Sequence, residues 1–233
     1  MKPLFLWTER PQPIARELET HAWVEAHRGE LEDLVELVYD NAPGDWRHYS
    51  EIFLATFHRA HVEKRTFLNL ESDIVPTMGA IGQLLACTEY VCTVPYLVYA
   101  YDDNRPVGGS AVIETRVPGG WESHMARVGE PWANGCDLGL IRYSAGFTTG
   151  FDAARDVEAL ERNDGLLHER MNEFVRFRLR KAQPVHLHWP MLKNNHDCWD
   201  EGDQSHHDVG FVPTLGMLGK KGRASSALSL LPT

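Results

Sequence analysis

The chain's 233 residues are 43% hydrophobic and 24% charged, the balance of one folded domain with a sizeable core rather than of a disordered or fibrous protein. A formal net charge of −10 excludes general nucleic-acid binding, which rests on Lys and Arg neutralising phosphates, but leaves room for a small anion held by a local Arg or a divalent cation. No apolar run reaches the roughly 20 residues of a membrane span, the segment Met1 to Glu9 turns polar too early for a signal peptide, and the four cysteines show no CxxC spacing, so a cytoplasmic chain with free thiols is predicted.

Leu4-Phe5-Leu6-Trp7 reads as a first buried strand, closed by Pro11 and Pro13. Ile14 to His21 and Ala22 to Ala26 read either as a short helix and a second strand or as one continuous helix. From Gly29, the helical spacing of Leu31, Leu34, Val35, Leu37 and Val38 predicts an amphipathic helix that Asn41-Ala42-Pro43-Gly44 stops. Asp45 then caps a helix whose stripe is Tyr49, Ile52, Phe53, Thr56, Phe57 and Ala60, a face suited to packing on a sheet. Thr66 to Leu70 is β-prone, Thr77 caps a short helix through Leu85, and Val91 to Ala100 is a strand region bent at Pro95.

Asp102 to Asp137, rich in Gly and Pro, predicts hairpin and loop structure over a site. Leu138 to Ser144 reads as a strand running into a small-residue turn, and Asp152 to Lys181 as a helix that Asn163-Asp164-Gly165 can divide. Val185 to Trp189 alternates with period two before Pro190, as a strand at a sheet edge does. Strand, helix and strand alternate, which predicts an α/β fold: a single open mixed, mostly parallel sheet with helices on both faces, Rossmann-like. Residues 1–219 form this one domain, and 220–233 a flexible C-terminal tail.

Ligands of open α/β sheets bind beyond the carboxyl ends of the strands. Glu71 and Asp73 stand two apart at such an end, where an extended backbone directs both carboxylates to one side, and two hard oxygen donors suit Mg²⁺ or Mn²⁺. The plainer reading is a polar strand end that caps its own loop. His186 and His188 share one face of the last strand, with His196, Asp197, His206, His207 and Asp208 close behind. Such a group can bind a transition metal, including a separate zinc at His186, His188 and His196, or can be solvated loop. Gly139 permits close approach of a sugar or of backbone, and Arg142 can offset phosphate charge, against the plainer reading of a strand and turn. Ser144 lacks a Gly-x-Ser-x-Gly elbow, so a serine hydrolase finds no support. Trp121 and Trp132 can stack on a sugar or form a satellite core under the loop.

The run Phe67-Leu68-Asn69-Leu70-Glu71-Ser72-Asp73-Ile74-Val75-Pro76 resembles the metal-binding acidic motif of the GT-A-fold nucleotide-sugar glycosyltransferases. There a hydrophobic strand ends in Asp-x-Asp or Glu-x-Asp, followed by an apolar residue and Pro and then a helix; residues 66–86 follow that pattern. The wider similarity, over residues 4–200, lies in the order of elements, with a compressed N-terminal half. The resemblance implies a GT-A-type fold and metal-dependent sugar transfer from a nucleotide-sugar donor to a glycan, protein or small-molecule acceptor. By it, Asp73 contacts a Mn²⁺ or Mg²⁺ ion bridging the diphosphate, Glu71 lies near the ribose or the metal's water shell, and His186 or His188 completes that shell. In an inverting enzyme Asp137 or Asp197 takes the acceptor's proton. Two other readings stand beside it: a catalytically degenerate GT-A-like binding protein, and a metal-dependent hydrolase using the C-terminal histidines.

Overall fold

A computed structural model describes residues 1–9, 15–41, 46–72, 74–99, 106–109, 111–118, 120–127, 129–136, 138–152, 174, 183 and 185–189. Its centre is a seven-stranded mixed sheet in the order β2-β1-β3-β11-β4-β12-β9. The strands are β1 (Leu4–Glu9), β2 (Glu36–Asn41), β3 (Phe67–Leu70), β4 (Val91–Thr93), β9 (Trp132–Ala133), β11 (Leu140–Tyr143) and β12 (Val185–Leu187). β11 runs antiparallel to both its neighbours β3 and β4, and β9 antiparallel to β12, while the other five strands share one direction. Beside it stand a three-stranded antiparallel sheet, of β7 (Ala111–Val117), β8 (Gly120–Met125) and β10 (Gly135–Cys136), and a two-stranded ribbon, of β5 (Leu97–Tyr99) and β6 (Pro106–Gly109). These fill the excursion that the glycines and prolines of 102–137 predict.

Both faces of the main sheet are covered, which explains why its strands are apolar without a break. Leu4 and Leu6 of β1 point to one face, where they join Phe53, Phe57 and Ala60 of helix α2 (Trp46–Glu63) and Phe147 of α4 (Ala145–Gly150). Phe5 and Trp7 point to the other, joining Val24 and Leu31 of α1 (Ala15–Leu34) and Ala80, Ile81 and Leu84 of α3 (Met78–Ala86). Thr77 caps α3 as its sequence predicts, its hydroxyl accepting from the Ala80 amide at 3.1 Å. No helix among the described residues is long and apolar enough to cross a membrane.

Several expectations are corrected. Residues 15–34 form one continuous helix, the second of the two readings of that stretch, but the helix predicted from Gly29 stops at Leu34 and Glu36–Asn41 become β2. Leu37, Val38 and Tyr39 fit either period, and the free edge of β1, with partners Leu4↔Glu36 through Glu9↔Asn41, decides the matter for the strand. The turn expected after β11 is the helix α4, capped by Ser144, whose hydroxyl accepts from the Phe147 amide. β12 is not an edge strand, because β9 pairs along its outer side. The extended backbone ends at Leu70: Ser72 stands in a turn, and the Ile74 amide donates to the Glu71 carbonyl at 3.2 Å, while Asp73 lies outside the described residues. The predicted cap Asp45, most of the helix 152–181 and the tail 220–233 lie outside the described residues.

Candidate functional site

The chain leaves β1 through α1 on one face to reach β2, then returns through α2 on the other face to reach β3, on the opposite side of β1. The two crossovers therefore diverge between β1 and β3. At such a topological switch point the loops splay apart, leaving a crevice beyond the carboxyl ends of the strands. Glu9 ends β1 at this crevice and Glu71 follows directly on β3.

Glu71 is half-buried and its backbone is fixed. Its amide donates to the Gly139 carbonyl at 2.8 Å, and its carbonyl accepts from Ile74. Gly139 in turn donates its own amide to the Tyr96 hydroxyl at 3.2 Å. One glycine residue thus links the start of the acidic turn to the loop that follows β4. Below it, buried Asn69 donates its side-chain amide to the Leu138 carbonyl at 2.7 Å, and the Thr93 hydroxyl donates to the Leu140 carbonyl at 2.7 Å. These bonds bind β3, β11 and β4 together just beneath the crevice floor. Tyr143, on β11, is fully buried; burial first, and then the charges of Cys136 and Glu71, raise its phenol well above the ordinary range.

A second group of reactive side chains lies further along the sheet. Arg142 on β11, Cys92 on β4 and His186 on β12 are register partners across three adjacent strands, so their side chains emerge in a row on one face. Cys87, the residue that ends α3, and His188, just past β12, close over the row. The Sγ atoms of Cys87 and Cys92 and a ring nitrogen of His188 all lie within 4.8 Å of one another. His186 Nδ1 stands 3.4 Å from Cys87 Sγ, and its ring packs against Trp132 and His188.

The electrostatics of this group are uneven. Hydrogen bonding from Cys92, then the backbone at Glu89 and the two imidazoles, holds the Cys87 thiol well below the usual thiol range despite its partial burial. Burial, reinforced by the Cys87 charge, pushes the Cys92 thiol up. Burial also lowers the His188 imidazole against the pull of Cys87, so that ring is neutral near pH 7. Its Nε2 is buried without a hydrogen-bond partner among the described residues.

Of the residues singled out from sequence, Glu71 stands at the crevice, while Asp73, Asp137 and Asp197 lie outside the described residues, as do His196, His206, His207 and Asp208. Arg142 is 6% exposed and donates to the Glu89 carbonyl at 2.6 Å, inside the second group. His186 and His188 meet two cysteines there, and the Trp132 ring packs at a tilt against that of His186. Gly139 serves an approach of protein to protein, that of the Tyr96 ring. Sequence reasoning did not join Cys87 and Cys92 to the histidines, which lie about a hundred residues further along and reach them only through the pairing of β12 with β4. No family model matches the chain, and no curated protein matches it.

Proposed function

We propose that the chain is a metal-dependent glycosyltransferase of GT-A type that binds a nucleotide sugar in the crevice between β1 and β3. The observation that carries this reading is the reversal of crossover direction at β1, beside which the acidic turn begins. The resemblance of residues 66–86 to the family's acidic motif supplies the chemistry. The donors at the turn fit the hard cations Mn²⁺ and Mg²⁺, since Glu71 and Asp73 offer carboxylate oxygens. When bound, such a cation neutralises the charge that develops on the departing nucleotide diphosphate.

The chain's own residues do the rest. The Glu71 peptide is pinned on both sides, so its carboxylate starts from a fixed backbone and loses little freedom on binding. Below it the Asn69 and Thr93 side chains tie β3, β11 and β4 together, which gives the turn a rigid base. In an inverting transfer the acceptor hydroxyl attacks the anomeric carbon, the bond to the diphosphate breaks, and the hydroxyl proton passes to a carboxylate, Asp137 or Asp197.

Calorimetric titration of UDP, GDP and their sugars, with and without Mn²⁺, tests the reading. Metal-dependent nucleotide binding with slow release of free nucleotide from a sugar donor supports it. Binding without turnover makes the chain a binding protein of the same fold, and no binding to any of these ligands removes the proposal.

A further inference from the structure

We propose that Cys87, Cys92 and His188 form a zinc site, separate from the crevice, that clamps the end of α3 to β4 and β12. Two sulfurs and one imidazole nitrogen converge within 4.8 Å, from a helix end, a strand and a strand exit. Around tetrahedral zinc, bonds of about 2.3 Å to sulfur and 2.0–2.1 Å to nitrogen set donors roughly 3.5 Å apart, so small side-chain rotations bring this group into contact with one ion. Thiolate and imidazole donors select zinc over Mg²⁺ or Mn²⁺, which prefer oxygen.

Charge supports the same occupant. Two thiolates balance the dication, so the loaded site adds no net charge to a half-buried location. His188 Nε2 is buried without a hydrogen-bond partner among the described residues, and a coordinate bond can satisfy such a nitrogen. His186, whose Nδ1 faces the Cys87 sulfur and whose ring is held against Trp132, is a positioning residue that orients the thiolate. The site has structural work to do. β4 and β12 have only three residues each, and β12 with its partner β9 makes up the far edge of the sheet. Joining Cys92 to His188 removes freedom from a loop of about a hundred residues in the unfolded chain. β11 stands between β3 and β4, so loading here is read independently of nucleotide binding at the crevice.

The test is metal analysis of the full chain purified without chelators. About one zinc per chain is expected, falling to roughly a tenth or less in Cys87→Ser, Cys92→Ser and His188→Ala and kept in Cys136→Ser. Because Cys92 is fully buried, so that its replacement risks the fold itself, the wild-type chain provides a second reading. Its metal is exchanged for Co²⁺, which shows thiolate-to-metal charge transfer and intense tetrahedral d–d bands if two sulfurs bind. Alkylation of Cys87 and Cys92, located by mass spectrometry, slows at least about tenfold with zinc and recovers with chelator. A chain that takes up no zinc and shows no thiolate bands with Co²⁺, one that carries a Cys87–Cys92 disulfide, or zinc retained by folded His188→Ala overturns the proposal.

Discussion

Gly139 lies against the ring of Tyr96 at a separation that admits no side chain: a Cβ there would stand 2.4 Å from the hydroxyl and 2.5 Å from the carbon bearing it. The same glycine accepts from the Glu71 amide, so Tyr96 reaches the acidic turn through a single residue. Gly139→Ala should therefore destabilise the chain by about 1–3 kcal/mol, the usual cost of overpacking. Tyr96→Ala opens the space, so the alanine at 139 should cost much less in that background. Denaturant melts of the four proteins give the coupling directly, and additive losses would mean that the ring simply moves aside. If the crevice binds nucleotide, Gly139→Ala should also weaken that binding, because Glu71 shifts with its partner.

Lys64 has a positive φ of 53° and ends α2 in a Schellman arrangement, with the Arg65 amide donating to the Ala60 carbonyl and the Lys64 amide to that of His61. A β-carbon in the left-handed region is strained, and glycine removes the strain at some entropic cost in the unfolded chain. Lys64→Gly should raise stability by up to about 1 kcal/mol with an unchanged urea m-value. A comparable loss would show that Lys64 makes contacts worth more than the strain.

At the opposite end of the sheet from the crevice, buried Arg65 pairs with Glu36 and Glu63, each at 2.6 Å, and donates to the Lys2 carbonyl at 2.7 Å. Hydrogen bonds from Arg59 and Arg65 hold the Glu36 carboxyl below its usual range. A lowered carboxylate contributes stability above the unfolded-state value of about 4.3, and loses it as pH falls through the lower folded value. The difference in melting temperature between wild type and Glu36→Gln should thus be constant near neutrality and shrink in acid. A gap that widens as pH falls would reverse the assigned sign.

Helical and strand periods made most of the fold legible. Leu4 to Trp7, the stripe of α2, the apolar run before Glu71 and the Thr77 cap all appear where local pattern places them. The misreadings lie where a partner decides between two local options. Leu37 and Val38 continue a helical period, but hydrogen bonding to β1 makes their segment a strand. The histidines of β12 were visible as a pair; their association with Cys87 and Cys92 was not, since it depends on β12 lying beside β4 rather than at an edge. Glu71 was legible because an acidic residue ending an apolar strand needs no distant partner to be noticed.

In the acidic turn, Asp73→Asn and Glu71→Gln should each weaken Mn²⁺-dependent nucleotide binding by about 10-fold or more, and leave the melting temperature unchanged or raised. Carboxylates two residues apart in the chain repel one another unless a cation lies between them, so removing one charge relieves that repulsion. Loss of stability with binding intact would identify these residues as loop caps.

The histidines separate the two metal chemistries. If His186 or His188 completes the shell of the cation at Asp73, as the family resemblance implies, its replacement by alanine should cost about 10 to 100-fold in Mn²⁺-dependent nucleotide affinity. The contacts of both rings point the other way, since each is engaged with Cys87, and His188 with Cys92 as well, across β11 from β3. We therefore expect His186→Ala and His188→Ala to bind nucleotide and Mn²⁺ like the wild type. His188→Ala should at the same time lose its zinc, and His186→Ala should hold zinc more weakly because the Cys87 thiolate is less well oriented. Both quantities can be measured on one preparation, by calorimetry with UDP and Mn²⁺ and by metal analysis before and after dialysis. A large loss of nucleotide affinity with zinc content unchanged would return the histidines to the crevice and dissolve the separation between the two sites.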